Sequence, residues 1–111
     1  MSLTAPAMAS AKTEIDMGEF KCTAYCPCEK CSDHWGRRTA TQTCAEAGRT
    51  VAVDPDVIAY GTVLMVGDHE YVAEDCGAHV KGDHVDIFMD THEEVEAFGK
   101  KYKNVWITGR K

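Results

Sequence analysis

A chain of 111 residues has room for one domain but not for two independent cores. Its 44% hydrophobic and 27% charged residues match a globular protein rather than a disordered one. Twelve Lys and Arg against eighteen Asp and Glu give a net charge of −6. That balance disfavours nucleic acid and anionic membrane as partners, since both require clustered positive charge, and leaves a neutral polymer such as a polysaccharide open.

Residues 1–17 read as a leader or linker expected to be disordered, with the folded domain over 18–111. The opening MSLTAPAMASAK has neither the charged n-region nor the apolar h-region of a signal peptide. No run approaches the roughly 20 apolar residues of a membrane helix. GEFKCTAYC (18–26) alternates Phe20, Cys22, Ala24 and Cys26 against Lys21, Thr23 and Tyr25, the period of a half-buried strand. Residues 27–48 are polar, carry Pro27 and two glycines, and predict a long loop, a feature that in compact domains is usually functional.

TVAVD (50–54) predicts a short strand stopped by Pro55. TVLMV (62–66) and EYVAE (70–74) flank Gly67-Asp68 as a hairpin. HVDIFM (84–89) is a strand with Val85, Ile87 and Met89 on one face and Asp86 and Phe88 on the other. THEEVEAFGKKY (91–102) predicts the one helix, opened by a Thr91/Glu94 capping box with Val95, Phe98 and Tyr102 as its stripe. NVWIT (104–108) closes the chain as a strand. About six short strands and one helix near the C-terminus predict a mostly-β barrel, a closure that removes exposed edges.

Three aspartates sit in or beside apolar strand segments: Asp54, Asp75 and Asp86. Each alone reads as a cap on a strand or turn, since Asp readily bonds local backbone. Asp86 is the exception, because it lies mid-strand among apolar residues. Burial there disfavours its charged form and raises its pKa, as a general acid requires. Such chemistry suits cleavage of a glycosidic bond, where one carboxyl protonates the leaving oxygen and another stabilises developing charge.

Six cysteines are many for this length, and Cys22, Cys26, Cys28 and Cys31 fall within ten residues. Disulfides, free thiols and a zinc site on Cys26, Cys28, Cys31 and His34 all stay open. On each reading the cluster pins the long loop. His69 and His92 read as surface residues, while His34, His79 and His84 lie near the motifs as ordinary hydrogen-bonding histidines. Tyr25, on the polar face of its strand, is a candidate to stack on a sugar ring.

The stretches CTAYCPCEKC (22–31), RTATQT (38–43), RTVAVDPDVIAYGTVLMV (49–66), AEDCGAHVKGDHVDIFMD (73–90) and HEEVEAFGKKYKNVWI (92–107) resemble the three-aspartate (3D) domain of bacterial and phage cell-wall enzymes. The resemblance implies a six-stranded double-psi β-barrel similar to the catalytic barrel of the membrane-bound lytic transglycosylase A. It implies cleavage of the β-1,4 bond between N-acetylmuramic acid and N-acetylglucosamine in peptidoglycan, with a 1,6-anhydro product and no cofactor. By motif, Asp86 is then the acid and base, with Asp75 and Asp54 lining the same cleft. Gly77 and Lys81 join Tyr25 as candidate substrate contacts. The chain departs from the family at Cys76 for Thr, Ala78 for Gly and His79 for Ile, at Ala59 and Tyr60, and in lacking the glycine usual after TAT at Gln42.

The expected setting is extracellular or cell wall-associated, with a companion targeting domain or a phage particle as partner. Two rival readings use the same residues differently. One is a wall-binding module similar to expansin-type domains, which loosens polysaccharide without cutting it. The other is a zinc-stabilised interaction domain.

Overall fold

The computed structural model describes residues 14–28 and 36–110. Six strands and one helix follow in chain order: β1 (Ile15–Tyr25), β2 (Thr50–Ala52), β3 (Thr62–Val66), β4 (His69–Asp75), β5 (His84–Phe88), α1 (His92–Phe98) and β6 (Lys101–Arg110). The strands close into a barrel, as the sequence predicts, and their order round it is β1-β5-β2-β4-β3-β6. Two neighbouring pairs, β1–β5 and β2–β4, run parallel, and the rest are antiparallel.

Alternation builds the interior. Phe20 and Cys22 of β1, Val51 of β2, Leu64 and Val66 of β3, Val85 and Ile87 of β5 and Val105 of β6 meet in one core, each at most 4% exposed. The hairpin turns at Gly67, whose φ of 65° suits the left-handed conformation glycine tolerates. β1 begins at Ile15, so three residues of the expected leader lie in the strand, and two of them, Ile15 and Asp16, pair with β6 on one side of a register shift.

The helix is shorter than its stripe predicts. Its N-terminus carries the expected capping box, with the Thr91 hydroxyl accepting from the Glu94 amide and the Glu94 carboxylate accepting from the Thr91 amide. It ends at Phe98, followed by Gly99 with φ 67°. Residues 101–103 instead join β6, where they pair with Cys22, Lys21 and Phe20. Pairing with β1 engages their backbone groups, and Tyr102 is left 58% exposed rather than on a helical face. Among the described residues, no helix is long and apolar enough to cross a membrane.

A candidate active site on the outer face of the barrel

Register sets four residues in a row across four strands. Thr23 of β1 lies opposite Asp86 of β5, Asp86 opposite Ala52 of β2, and Ala52 opposite Asp75 of β4. Their neighbours Cys22, Val51, Val85 and Ile87 face the core, so alternation turns Thr23, Ala52 and Asp86 to the outer face. Asp75 needs more than alternation, because Ala73, two residues before it, is in the core. A register shift between Val51 and Ala52 spends Glu74 as an extra residue and re-aims Asp75 towards the row. Two strand spacings then separate the backbones of the two acids, about 9–10 Å.

Asp86 is half-buried, and desolvation pushes its carboxyl above the usual carboxylate range, with the nearby Asp75 adding to the rise. A hydrogen bond from Thr23 and the proximity of His84 pull the other way without cancelling the shift. Thr23 Oγ1 lies 2.8 Å from Asp86 Oδ1 and 2.8 Å from His84 Nε2. His84 is 8% exposed, and its Nδ1 lies 3.0 Å from the carbonyl oxygen of His79. A carbonyl only accepts, so Nδ1 carries a hydrogen. One further proton then distinguishes two arrangements of the line. Either a protonated Asp86 donates to Thr23 and Thr23 to His84 Nε2, or a protonated Nε2 donates to Thr23 and Thr23 to the Asp86 carboxylate.

Asp75 accepts three hydrogen bonds: from the Tyr25 hydroxyl at 2.9 Å, the Ala40 amide at 3.0 Å and its neighbour Cys76 amide at 2.9 Å. Tyr25 is therefore committed at both ends. Its ring meets Phe88 edge-on at 5.3 Å, and burial beside Asp75 raises its phenol far above the usual value. This makes Tyr25 a residue that positions Asp75. The Ala40 contact brings the polar loop into the site, where Thr41 N–H also donates to the Glu74 carbonyl. Buried Thr39 holds that loop through the hydroxyls of Thr41 and Thr43. Gln42 turns it at φ 71°, the left-handed conformation that makes glycine usual there.

The other expected site residues lie in the loops that follow β2 and β4. Asp54 is 9% exposed just beyond β2, where its carboxylate accepts from the Gly82 amide at 2.9 Å and the Asp56 amide at 3.0 Å. Those bonds, that of Gly82 foremost, hold its carboxyl below the usual range, and Lys81 adds to the effect. Asp54 thus fastens the loop entering β5 to the loop leaving β2, and among the described residues it shares no hydrogen bond with Asp75 or Asp86. Gly77 opens a turn closed by the Val80 amide, and a Cβ on it would lie 3.2 Å from the Val80 side chain. Lys81 is exposed on the same loop.

Cys22, Cys44 and Cys76 are free thiols, and burial pushes that of Cys22 up. Of the four expected metal ligands, Cys31 and His34 lie outside the described residues, while Cys26 and Cys28 meet His92. Sequence reasoning leaves Thr23, His84, Ala40 and His92 without these roles. Alternation puts Thr23 on the Tyr25 face, but only strand register pairs it with Asp86.

The 3D domain family matches residues 49–109, which hold all three aspartates. YabE of Bacillus subtilis (strain 168), whose name proposes a role in cell wall shaping, is 32% identical over 87 residues, covering 77% of this chain and 21% of YabE. The SPbeta prophage-derived uncharacterized protein YorM of the same organism is 37% identical over 57 residues, 48% of this chain and 24% of its own. The chain thus spans between a fifth and a quarter of the length of these curated relatives. Among solved structures, the fold is similar to the E. coli lytic transglycosylase MltA. An apo form matches with a TM-score of 0.58 and 22% identity, over 67% of this chain and 27% of that one. The form with bound chitohexaose matches with a TM-score of 0.56 and 25% identity, over 63% and 26%.

Proposed function

The chain belongs to the 3D domain family, and from that membership we propose that it is a lytic transglycosylase of peptidoglycan, with Asp86 as its acid and base. The observation that carries this reading is the environment of Asp86. Its carboxyl is raised by burial, sits in line with a second acid, and is backed by a hydroxyl–imidazole pair able to adjust to either charge state. The MltA likeness, in a form that binds chitohexaose, supports a β-1,4-linked amino sugar as the ligand class.

In this mechanism protonated Asp86 gives its proton to the glycosidic oxygen as the bond from muramic C1 to that oxygen breaks. Positive charge develops at C1, and the carboxyl group of Asp75, held by Tyr25, Ala40 and Cys76, lies on the same face to stabilise it. The muramic 6-hydroxyl attacks C1 and surrenders its proton to the Asp86 carboxylate, which returns to its starting form. No water is consumed, so one residue serves both steps. Thr23 supports the ionised intermediate by turning its hydroxyl proton to Asp86. His84 orients Thr23 from behind, and Asp54 preserves the loop that leads into β5.

The substrate places the working protein outside the cell or at the wall. A companion domain or a phage particle brings it there, a role consistent with the short span it shares with its relatives.

The test is mass spectrometry of fragments released from purified peptidoglycan by wild type and by Asp86→Asn. The expected result is anhydro-muropeptides from wild type alone. Reducing-end fragments would replace the transglycosylase by a hydrolase on the same barrel. Wall binding without fragments from a folded wild type would replace the enzyme by a binding module.

A further inference from the structure

Beyond the acid row, three ligand-type side chains converge where β1 ends. Cys26 is 1% exposed, Cys28 is half-buried two residues later, and His92 reaches them from the first turn of α1. The two sulfurs lie 3.2 Å apart, and His92 Nδ1 lies 3.8 Å from Cys26 Sγ and 3.6 Å from Cys28 Sγ. Sulfur at about 2.3 Å and nitrogen at about 2.0–2.1 Å from a tetrahedral zinc lie about 3.5–3.8 Å from one another. Both sulfur–nitrogen edges fit that figure, and a small rotation of the less buried thiol, Cys28, opens the sulfur–sulfur edge to it. The other ring nitrogen completes the pattern. His92 Nε2 lies 3.2 Å from the Glu96 carboxylate, the outer partner that fixes the tautomer and orientation of a metal-binding imidazole.

We propose that Cys26, Cys28 and His92 bind a zinc ion that fastens α1 to the end of β1. Two thiolates and an imidazole form a donor set suited to zinc rather than to calcium or magnesium, which take oxygen. The fold explains the need. α1 has seven residues and none of them is fully buried, so beyond Phe98, which packs partly buried against the core, little apolar area holds it in place. Around it, Asp90 pairs with Arg37, and the Met89 amide bonds the Tyr25 carbonyl. A metal linking residues 26 and 28 to residue 92 closes a long loop of chain, the kind of cross-link that most constrains the unfolded state. It also anchors the strand end that carries Thr23 and Tyr25 into the acid row. The proposal is independent of what Asp86 does.

Elemental analysis of the full chain, purified under reducing conditions, is expected to find one zinc per chain. Cobalt in its place is expected to give thiolate charge-transfer bands and the visible bands of a tetrahedral site. His92→Ala removes those bands, and Glu96→Gln, which leaves every ligand intact, weakens zinc binding about 10–100-fold. Circular dichroism checks that both variants keep the barrel. A reduced, folded chain that takes up no zinc or cobalt would overturn the proposal. So would a cobalt spectrum unchanged in His92→Ala, or Cys26 and Cys28 locked in disulfides that, once reduced, still bind no metal.

Discussion

Asp86 and Asp54 carry the same carboxyl into opposite surroundings. Asp86 sits in the middle of β5, where covering structure strips its water and a single hydroxyl donates to it. Asp54 sits in the loop after β2, where two backbone amides point at its oxygens. Burial raises the first, and amide hydrogen bonds lower the second. One is fitted to hold and release a proton, the other to remain an anion that ties two loops together. Residue type is shared, so the difference comes from what the backbone does around each carboxyl.

The largest expected effect is loss of activity in Asp86→Asn, by at least about 10²–10⁴-fold, the usual contribution of general acid–base catalysis. The same change should leave stability at neutral pH equal or higher. A carboxyl raised on folding binds its proton more tightly in the native state, so the native chain loses stability as pH rises from the ordinary carboxylate value through the raised one. Asparagine removes that cost, and denaturant melts of both proteins across pH measure it. A marked destabilisation at neutral pH would show that ionised Asp86 holds the fold together, which would break the contrast with Asp54.

Asp54→Ala should do the reverse. It orphans the Gly82 and Asp56 amides and lowers the melting temperature. Activity measured well below that temperature should keep its pH profile. A displaced profile would place Asp54 in direct communication with the acid.

Sharper evidence would come from the alkaline limb of the proposed reaction, where activity is expected to fall as Asp86 loses the proton that the mechanism has it donate. Thr23, His84, Asp75 and Tyr25 surround that carboxyl. His84 lowers it and Asp75 raises it, so His84→Gln should move the limb to higher pH and Asp75→Asn to lower pH. Shifts in the same direction would refute the assignment. The smallest effect is expected at Gln42, where φ 71° strains a residue with a Cβ. Gln42→Gly should stabilise the chain by up to about 1 kcal/mol, read from chemical denaturation.

Much of the barrel is legible in the chain because period-two patterning survives in β3, in the Phe20–Cys22 part of β1 and around Asp86 in β5. Alternation in GEFKCTAYC and HVDIFM predicts which side chains of β1 and β5 enter the core. The capping box marks the start of α1 to the residue. Its end is misplaced because Phe98 and Tyr102 share a helical spacing, and local spacing carries no information about the barrel seam that residues 101–103 must close. His92 is read as surface for a similar reason, since its partners Cys26 and Cys28 lie more than sixty residues away in sequence.

By itself, then, the sequence determined the strand periods, the turn at Gly67, the cap at Thr91 and the candidacy of an acid stranded among apolar residues at position 86. Those are local consequences of side-chain chemistry and backbone preference. The tertiary structure alone decided that Thr23, Asp86, Ala52 and Asp75 form one row, that a bulge turns Asp75 out of the core, and that Asp54 serves the loops. Register is a property of pairs of strands. A shift of a single residue sends a side chain to the opposite face, and no window along one strand records its partner's position.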